Sequence, residues 1–307
     1  MLRYALRRLL HAIPTLLVLV TIAFFMVRLA PGGPFDTERA LSPEVEANLA
    51  AKYHLDEPLG AQYLRYLSDL ARGDFGPSFQ YKDYSVTELI AAGFPVSLTL
   101  GALAMLLAVL LGVAAGATAA LHRGRTLDRV LMAAAMTGIS VPNFVLAPLL
   151  VLGFAVLLGW LPAGGWTEQG ASALLLPVVA LALPQVAYVA RLTRGALLEV
   201  LSQPWIRTAR AKGLTEREVV LHHALKPALL PVVSYLGPAL AALVTGSVVV
   251  EQIFGIPGLG RYFVQGALNR DYTLVVGVVV FYGAIVIAFN LVVDLAYGWL
   301  DPRVRLR

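Results

Sequence analysis

Long apolar runs separated by short polar stretches set the rhythm of this sequence. Runs of roughly 20 or more mainly hydrophobic residues, the length a helix needs to cross a bilayer, occur at 9–29, 96–121, 130–158, 174–193, 228–250 and 272–298. The pattern predicts an all-α membrane protein with six transmembrane helices. The runs at 130–158 and 272–298 exceed the minimum length, so tilting, kinking or extension beyond the lipid is expected of them. Prolines recur inside the later runs, at Pro142, Pro148, Pro177, Pro184, Pro231 and Pro238. Each removes a backbone donor and bends its helix, which lipid tolerates only where neighbours, side chains or water satisfy the freed groups. Ser140, Asn143, Gln185, Tyr188, Tyr235, Thr245 and Ser247 share these helices and are candidates to line a hydrated pathway. Helix–helix adhesion is the competing role for the same residues.

Composition agrees with the pattern: 58% of residues are hydrophobic, 14% are charged, and the mean hydropathy is +0.74. A soluble domain carries far more charge. Arg3, Arg7 and Arg8 precede the first apolar run as they do in a secretory signal, but the run from Leu9 to Val27 outlasts a signal core of about 7–15 residues and meets Arg28. An uncleaved helix is expected. The chain has no cysteine, which excludes disulfides, thiolate metal sites and a cysteine nucleophile.

Basic residues in short loops set the expected orientation. With the N-terminus inside, Arg3, Arg7, Arg8, Arg123, Arg125, Arg129, Arg191, Arg194, Arg207, Arg210, Lys212, Arg217, Lys226, Arg303, Arg305 and Arg307 are cytoplasmic, whereas the two short outer loops carry only Arg261 and Arg270. The net charge of +5 is therefore a topological bias and calls for no nucleic-acid partner. Three parts follow: residues 1–30 with the first helix, an external segment 31–95, and a core 96–307. In the external segment Leu49, Tyr53, Leu64, Leu67 and Leu70 recur at helical spacing around Pro58-Leu59-Gly60, which predicts short amphipathic helices bracing the outer mouth or meeting a partner. The last outer loop, Glu251 to Phe263, holds Phe254, Gly255, Pro257, Gly258 and Gly260. Phe254, Ile256 and Leu259 are too apolar for a surface loop, so it is expected to pack into the outer end of the bundle.

The chain carries no visible energy source. The spans from 96 to 121, 130 to 158, 174 to 190, 228 to 250 and 272 to 293 lack Asp, Glu, Lys, Arg and His, so a proton relay has no members. None of Lys52, Lys82, Lys212 and Lys226 follows a glycine, which excludes a G-x-x-x-x-G-K-[ST] phosphate loop. Paired carboxylates, a histidine cluster and a Ser-His arrangement are also missing from the spans, so no enzyme is expected. His222 and His223 are adjacent, hence about 100° apart on a helix, and make a poor metal site.

The segment RTARAKGLTEREVVLHHALKPALLPV, Arg207 to Val232, is a basic element between two hydrophobic runs. A helix-like run from Glu199 to Lys212 meets Gly213, suited to a left-handed helix stop, and Thr215-Glu216-Arg217-Glu218 matches a capping box that starts a new helix. Helix, tight turn and capped helix form an elbow on which a separate motor is expected to dock.

At these residues the chain resembles the membrane subunits of bacterial ATP-binding-cassette importers, whose cytoplasmic motif reads E-A-A-x3-G-x9-I-x-L-P. Aligned on Gly213, the motif glutamate falls on Arg207, its alanines on Thr208 and Ala209, its isoleucine on His223, its leucine on Leu225 and its proline on Lys226. These departures match the peptide/nickel branch, where RTARAKGL followed by HAL and LLPV is usual wording. APGGPF, KYHLDEP, GDFGPSF, IFGIPGLG, ALNRDY and VDLAYGWLDPRVR extend the likeness, over nearly the whole chain, to B-type permease subunits of oligopeptide importers. The resemblance implies a type I importer fold with a helical periplasmic insertion, in a bacterial inner membrane, both termini cytoplasmic. It implies a homologous second permease, two cytoplasmic ATPases that hold ATP and magnesium, and a periplasmic binding protein that delivers oligopeptides, this chain itself binding no cofactor. Dipeptides, nickel chelates or glutathione are the alternative cargo. It places ATPase coupling in 199–227, on Arg207, Thr208, Ala209, Lys212, Gly213, Leu214, Thr215, Glu218, His223, Leu225 and Lys226.

The orientation has a direct check, because the chain has no native cysteine. A cysteine introduced at His54 should react with an impermeant thiol reagent in intact spheroplasts and one introduced at Glu216 should not; the reverse pattern would invert the topology.

Overall fold

The computed structural model describes residues 2–29, 44, 48, 51, 53–81, 83–166 and 170–300. The APGGPF stretch, Leu49 and the basic residues Arg303, Arg305 and Arg307 fall outside these. Among the described residues the elements are helical, apart from an isolated antiparallel bridge between Pro77 and Ser85.

Four helices are long and apolar enough to cross a membrane unbroken: Leu10–Arg28, Val86–Leu121, Ala171–Leu201 and Tyr272–Val293. Two bent pairs, Thr126–Ser140 with Asn143–Leu157 and Glu216–Ala228 with Leu230–Gly246, bring the number to as many as six when each pair contributes one span. The first span is the end of α1 (Leu2–Arg28), the second is α3 (Val86–Leu121), and α2 (Leu59–Ala71) lies in the insertion between them. The second span begins at Val86 and not at 96, because Ser85 and Glu88 form a capping box: Glu88 Oε2 accepts from the Ser85 amide at 2.7 Å, and the Glu88 amide donates to Ser85 Oγ at 3.2 Å. At 36 residues α3 is about 54 Å long at 1.5 Å per residue, well beyond the roughly 30 Å hydrocarbon core.

The predicted run 130–158 is not one straight span. It divides into α4 (Thr126–Ser140) and α5 (Asn143–Leu150), the latter continuing as a π-helical turn over Val151–Leu157, and the two arms meet at 104°. The ring of Pro142 drives Val141 to φ −89° and ψ 116°, out of the helical region. Next come a 3-10 turn, Ala171–Leu174, and α6 (Leu175–Leu201), which runs eight residues past the predicted end at 193. After the elbow the fifth span is α10 (Leu230–Gly246), then α11 (Val248–Phe254), α12 (Leu259–Leu268) and α13 (Tyr272–Leu300).

The chain packs as two compact units. Ser97–Ile256 forms the body of one, with α4 and α6 making its most extensive helix pair. Small residues let its helices approach closely: a Cβ on Gly116 of α3 would lie 2.4 Å from the Ala190 carbonyl oxygen of α6. Asp128 of α4 accepts a bidentate pair from Arg194 of α6, at 2.6 and 2.8 Å, and a third bond from the Gly124 amide at 2.9 Å.

Leu9–Val96 and Pro257–Ile285 form the other unit. Tyr63 and Tyr66 of α2 stack against Phe24 of α1, with Tyr63 Oη 2.6 Å from Thr21 Oγ1. Val86, Leu89 and Ile90 of α3 bury against Leu259, Leu274 and Val278. Fully buried Asp271 fastens the insertion to the last helix. It accepts from Ser78 Oγ and from the Phe79 and Gln80 amides, both at 3.1 Å, while its other oxygen takes the Leu274 amide of α13 at 3.1 Å as an N-cap.

Replacing Asp271 with alanine strands these buried donors, and unsatisfied buried groups cost about 1–3 kcal/mol each. We expect Asp271→Ala to lower the denaturation midpoint in detergent and to expose 72–85 to protease, with Asp271→Asn intermediate because it keeps one acceptor oxygen.

Candidate functional site

The elbow begins where α6 stops. Pro204 follows Gln203 and holds it extended at φ −72° and ψ 151°, so the helix-like run expected from Glu199 to Lys212 is broken at Ser202–Gln203. Pro204 then opens α7 (Pro204–Ala211) from the position where its missing N–H costs least. Gly213 takes φ +85° and donates its amide to the Arg210 carbonyl at 2.9 Å. A side chain at that φ would be strained by roughly 1–2 kcal/mol. Thr215 caps the next turn, α8 (Glu216–Glu218): its amide donates to Glu218 Oε2 at 2.9 Å and its hydroxyl accepts from the Glu218 amide at 3.4 Å, the capping box expected from the sequence. A π-helical stretch, Val219–Ala224, and α9 (Leu225–Ala228) complete the segment.

One face of the elbow is a core. Leu197, Ile206, Val219, Ala224 and Ala228 are fully buried together, joined by Ala209 and half-buried Leu214. The opposite face is basic and open: Arg207, Thr208, Lys212, Thr215, Glu218, His223 and Lys226 are exposed and Leu225 half-buried. Of the residues assigned to coupling, Ala209 and Leu214 therefore hold the elbow together from within. Arg210 and Glu216 close it across Gly213, with Nε–Oε1 at 2.7 Å and Nη2–Oε2 at 3.2 Å, a pair the sequence reading missed. The hydrogen bond between them holds Glu216 below and Arg210 above their ordinary pKa values, and the Thr215 hydroxyl holds Glu218 down likewise. Trp205 and Leu221 are also exposed, and Leu221 edges an apolar groove of about 270 Å³ formed with Leu225, Lys226, Leu229, Leu230 and Val233.

The seven polar residues of the spans part company. Gln185 and Tyr188 of α6 meet Tyr235 of α10: Tyr235 Oη donates to Gln185 Oε1 at 2.6 Å, the two tyrosine rings lie 5.8 Å apart, and the Arg191 guanidinium sits 5.4 Å from the Tyr188 ring centre. Ser140 and Thr245 turn their hydroxyls back to the Met136 and Ala241 carbonyls of their own helices. Asn143 opens α5 with its side-chain oxygen buried and unbonded.

Fully buried Ser247 belongs to another centre. It and Ser97 both donate to Glu251, the latter at 2.6 Å, and Glu251 is itself fully buried. The helix carries on through Glu251 to Phe254, so this carboxylate, read from sequence as the start of a loop, is intrahelical. Gly255 then ends α11 at φ +64°, and Phe254 is buried with its carbonyl accepting the Gly165 amide at 2.8 Å. Leu259, Gly258 and Gly260 are buried and Pro257 half-buried, so this apolar loop is packed against its neighbours.

Lipid-facing and other surfaces separate clearly. Helices α1 and α3 expose Leu17, Val18, Ile22 and Met26, and Leu103, Leu106, Leu110 and Leu111. On α6 the exposed positions after Leu175 are Arg191, Gly195 and Glu199; on α10 they are Pro231, Ser234, Pro238, Ala242 and Gly246. None of these exposed positions is a large aliphatic or aromatic side chain, unlike the exposed positions of α1 and α3.

The family described as binding-protein-dependent transport system inner membrane component matches residues 108–306, and its N-terminal counterpart matches residues 1–101. The chain belongs to this family. It is a multi-pass transport permease. It is 57% identical over 305 residues, 99% of this chain and 100% of the relative, to the oligopeptide transport system permease protein OppB of Escherichia coli strain K12. The Haemophilus influenzae oligopeptide permease OppB is 54% identical over 305 residues, again 99% of this chain and 100% of the relative. The Bacillus subtilis dipeptide transport system permease protein DppB is 46% identical over 306 residues, 100% of this chain and 99% of the relative. Among solved structures, an inward-facing MetNI methionine ABC transporter aligns with TM-score 0.56 at 22% identity, over 69% of this chain and 96% of that chain. An amino acid ABC transporter with histidines aligns with TM-score 0.55 at 21% identity, over 69% of this chain and 94% of that chain. The permease therefore has the type I importer fold.

The Arg210–Glu216 closure is testable by charge swap. Exposed pairs contribute under about 1 kcal/mol, so Arg210→Glu should speed amide exchange at Gly213–Thr215 by no more than about fivefold, and Arg210→Glu with Glu216→Arg should restore it.

Proposed function

We propose that this permease is one of two related membrane subunits of an ATP-driven oligopeptide importer in a bacterial inner membrane, and that residues 207–226 are where a cytoplasmic ATPase docks. The observation that carries the reading is the elbow: an ordered, two-sided element with an apolar inner face and a basic outer face, on a permease whose sequence has no phosphate loop. Full-length similarity to oligopeptide permeases supports the cargo. ATP and magnesium belong to the two partner ATPases, a periplasmic binding protein delivers the peptide, and a homologous second permease supplies the other half of the pathway. Both termini face the cytoplasm. Dipeptide import is the second reading, favoured by 46% identity to a dipeptide permease.

Coupling in this reading is mechanical. The elbow packs directly onto the end of α6 through Leu197 and Ile206, and α6 leads without interruption from Leu201 to the Gln185–Tyr188–Tyr235 cluster. Docked ATPases bias the permease by contacting its two states unequally. Gly213 sets the angle between the two arms that they contact.

Gly213→Pro imposes φ near −65° where the turn needs +85°. The variant should insert and assemble with its partners, yet peptide uptake and peptide-stimulated ATP hydrolysis should both fall at least tenfold. Normal uptake by an assembled Gly213→Pro importer would refute the coupling role.

A further inference from the structure

We propose that Arg191, seated on Tyr188, is a binding site for the C-terminal carboxylate of the peptide as it passes through the permease. The inference rests on the reading above and adds a chemical group that the pathway recognises.

Gln185, Tyr188 and Arg191 stand at i, i+3 and i+6 along α6, so they climb one side of the helix. Arg191 is exposed, and the exposed positions of α6 after Leu175 and of α10 include no large aliphatic or aromatic side chain. Arg191 lies at the end of its apolar run that the basic residues assign to the cytoplasm, three residues before Arg194, where its guanidinium is placed to meet water, a partner or a ligand. Its neighbour Arg194 is already occupied, bound through two bonds to Asp128. Arg191 forms no ion pair with a described carboxylate, and Glu199, the acidic residue on the same exposed stripe, is two helical turns away. Instead the guanidinium lies 5.4 Å from the Tyr188 ring centre. Tyr188 packs on Tyr235, and Tyr235 is tied to Gln185 by a 2.6 Å hydrogen bond.

This contact sets the guanidinium beside the ring while its N–H groups engage no described acid. A planar fork of donors matches the two oxygens of a carboxylate. Every unmodified peptide carries one such group regardless of side chains, so recognition there is independent of peptide sequence. Held on an aromatic face in the open, the fork grips one anion weakly enough to release it.

The complete importer, reconstituted in proteoliposomes with its second permease, ATPases and binding protein, provides the test. The probes are trialanine and its C-terminal amide, and the measurement is the ratio of their ATP-driven uptake rates. Using a ratio cancels losses of assembly, because both peptides meet the same population of transporters. Arg191→Gln should shift the acid-to-amide ratio roughly tenfold toward the amide, the size expected for a hydrogen bond to a charged group. Arg191→Lys, which keeps the charge without the fork, should shift it less; Tyr188→Phe, which keeps the ring, should leave it near wild type. An unchanged ratio in Arg191→Gln overturns the site. So does a parallel fall for both peptides that tracks the anionic lipid content, since that assigns Arg191 to a lipid headgroup. If the wild-type complex transports neither peptide, the proposed function itself falls and this site falls with it.

Discussion

Hydrocarbon offers a backbone no hydrogen bonds, and this constraint governs how the spans of the permease depart from regular helix. The right-angled break at Val141–Pro142 places Pro142 where an unavailable N–H is harmless, and its carbonyl accepts from Val145 and Leu146 at the start of the next helix. Beyond the spans, the turn at Ser202–Gln203 is satisfied within the chain as well: their amides bond back to the Glu199 and Val200 carbonyls before Pro204 opens α7. Hydroxyls follow the same rule, with Ser140 and Thr245 satisfied by their own helices. Among the described residues, polar groups that reach another helix mark the centres of interest: Gln185 with Tyr235, Asp128 with Arg194, and Glu251 with Ser97.

Alpha6 links two of those centres to the elbow. It holds Arg194 in the clamp to α4, Tyr188 and Gln185 in the aromatic cluster, and Leu197 in the elbow core. Between Gln185 and Leu201 this helix carries no proline, and such a stretch transmits rotation better than a chain of loops because its backbone bonds resist local yielding. The elbow core gives that helix a broad base, so force applied to α7 and α8 enters through packed side chains.

Much of this was legible in the sequence where local chemistry decides the outcome. Gly213 as a helix stop and Thr215 with Glu218 as a helix start need only their own neighbours, and both stand as expected. The same S-x-x-E signal at Ser85–Glu88 lay in plain view and would have placed the start of α3 at Val86. Pro204 likewise announced the break after α6. What hydropathy could not convey was pairing across distance: Arg210 with Glu216, Asp271 with Ser78, and the burial of Glu251 depend on which elements meet. Nor could the list of polar residues in the spans separate those that turn inward on their own helix from those that gather around Tyr235.

The Asp271 fastening carries a consequence for biogenesis. Its partner Ser78 lies 193 residues earlier in the chain, and the ribosome delivers the two ends of the bond at very different times. Until the last span is threaded into the bilayer, the amides of Phe79 and Gln80 have no carboxylate to bind. The insertion therefore acquires its final form only when synthesis is nearly complete, and its locking reports on the whole molecule. A truncated or misthreaded chain would leave that strap without its carboxylate and open to proteolysis.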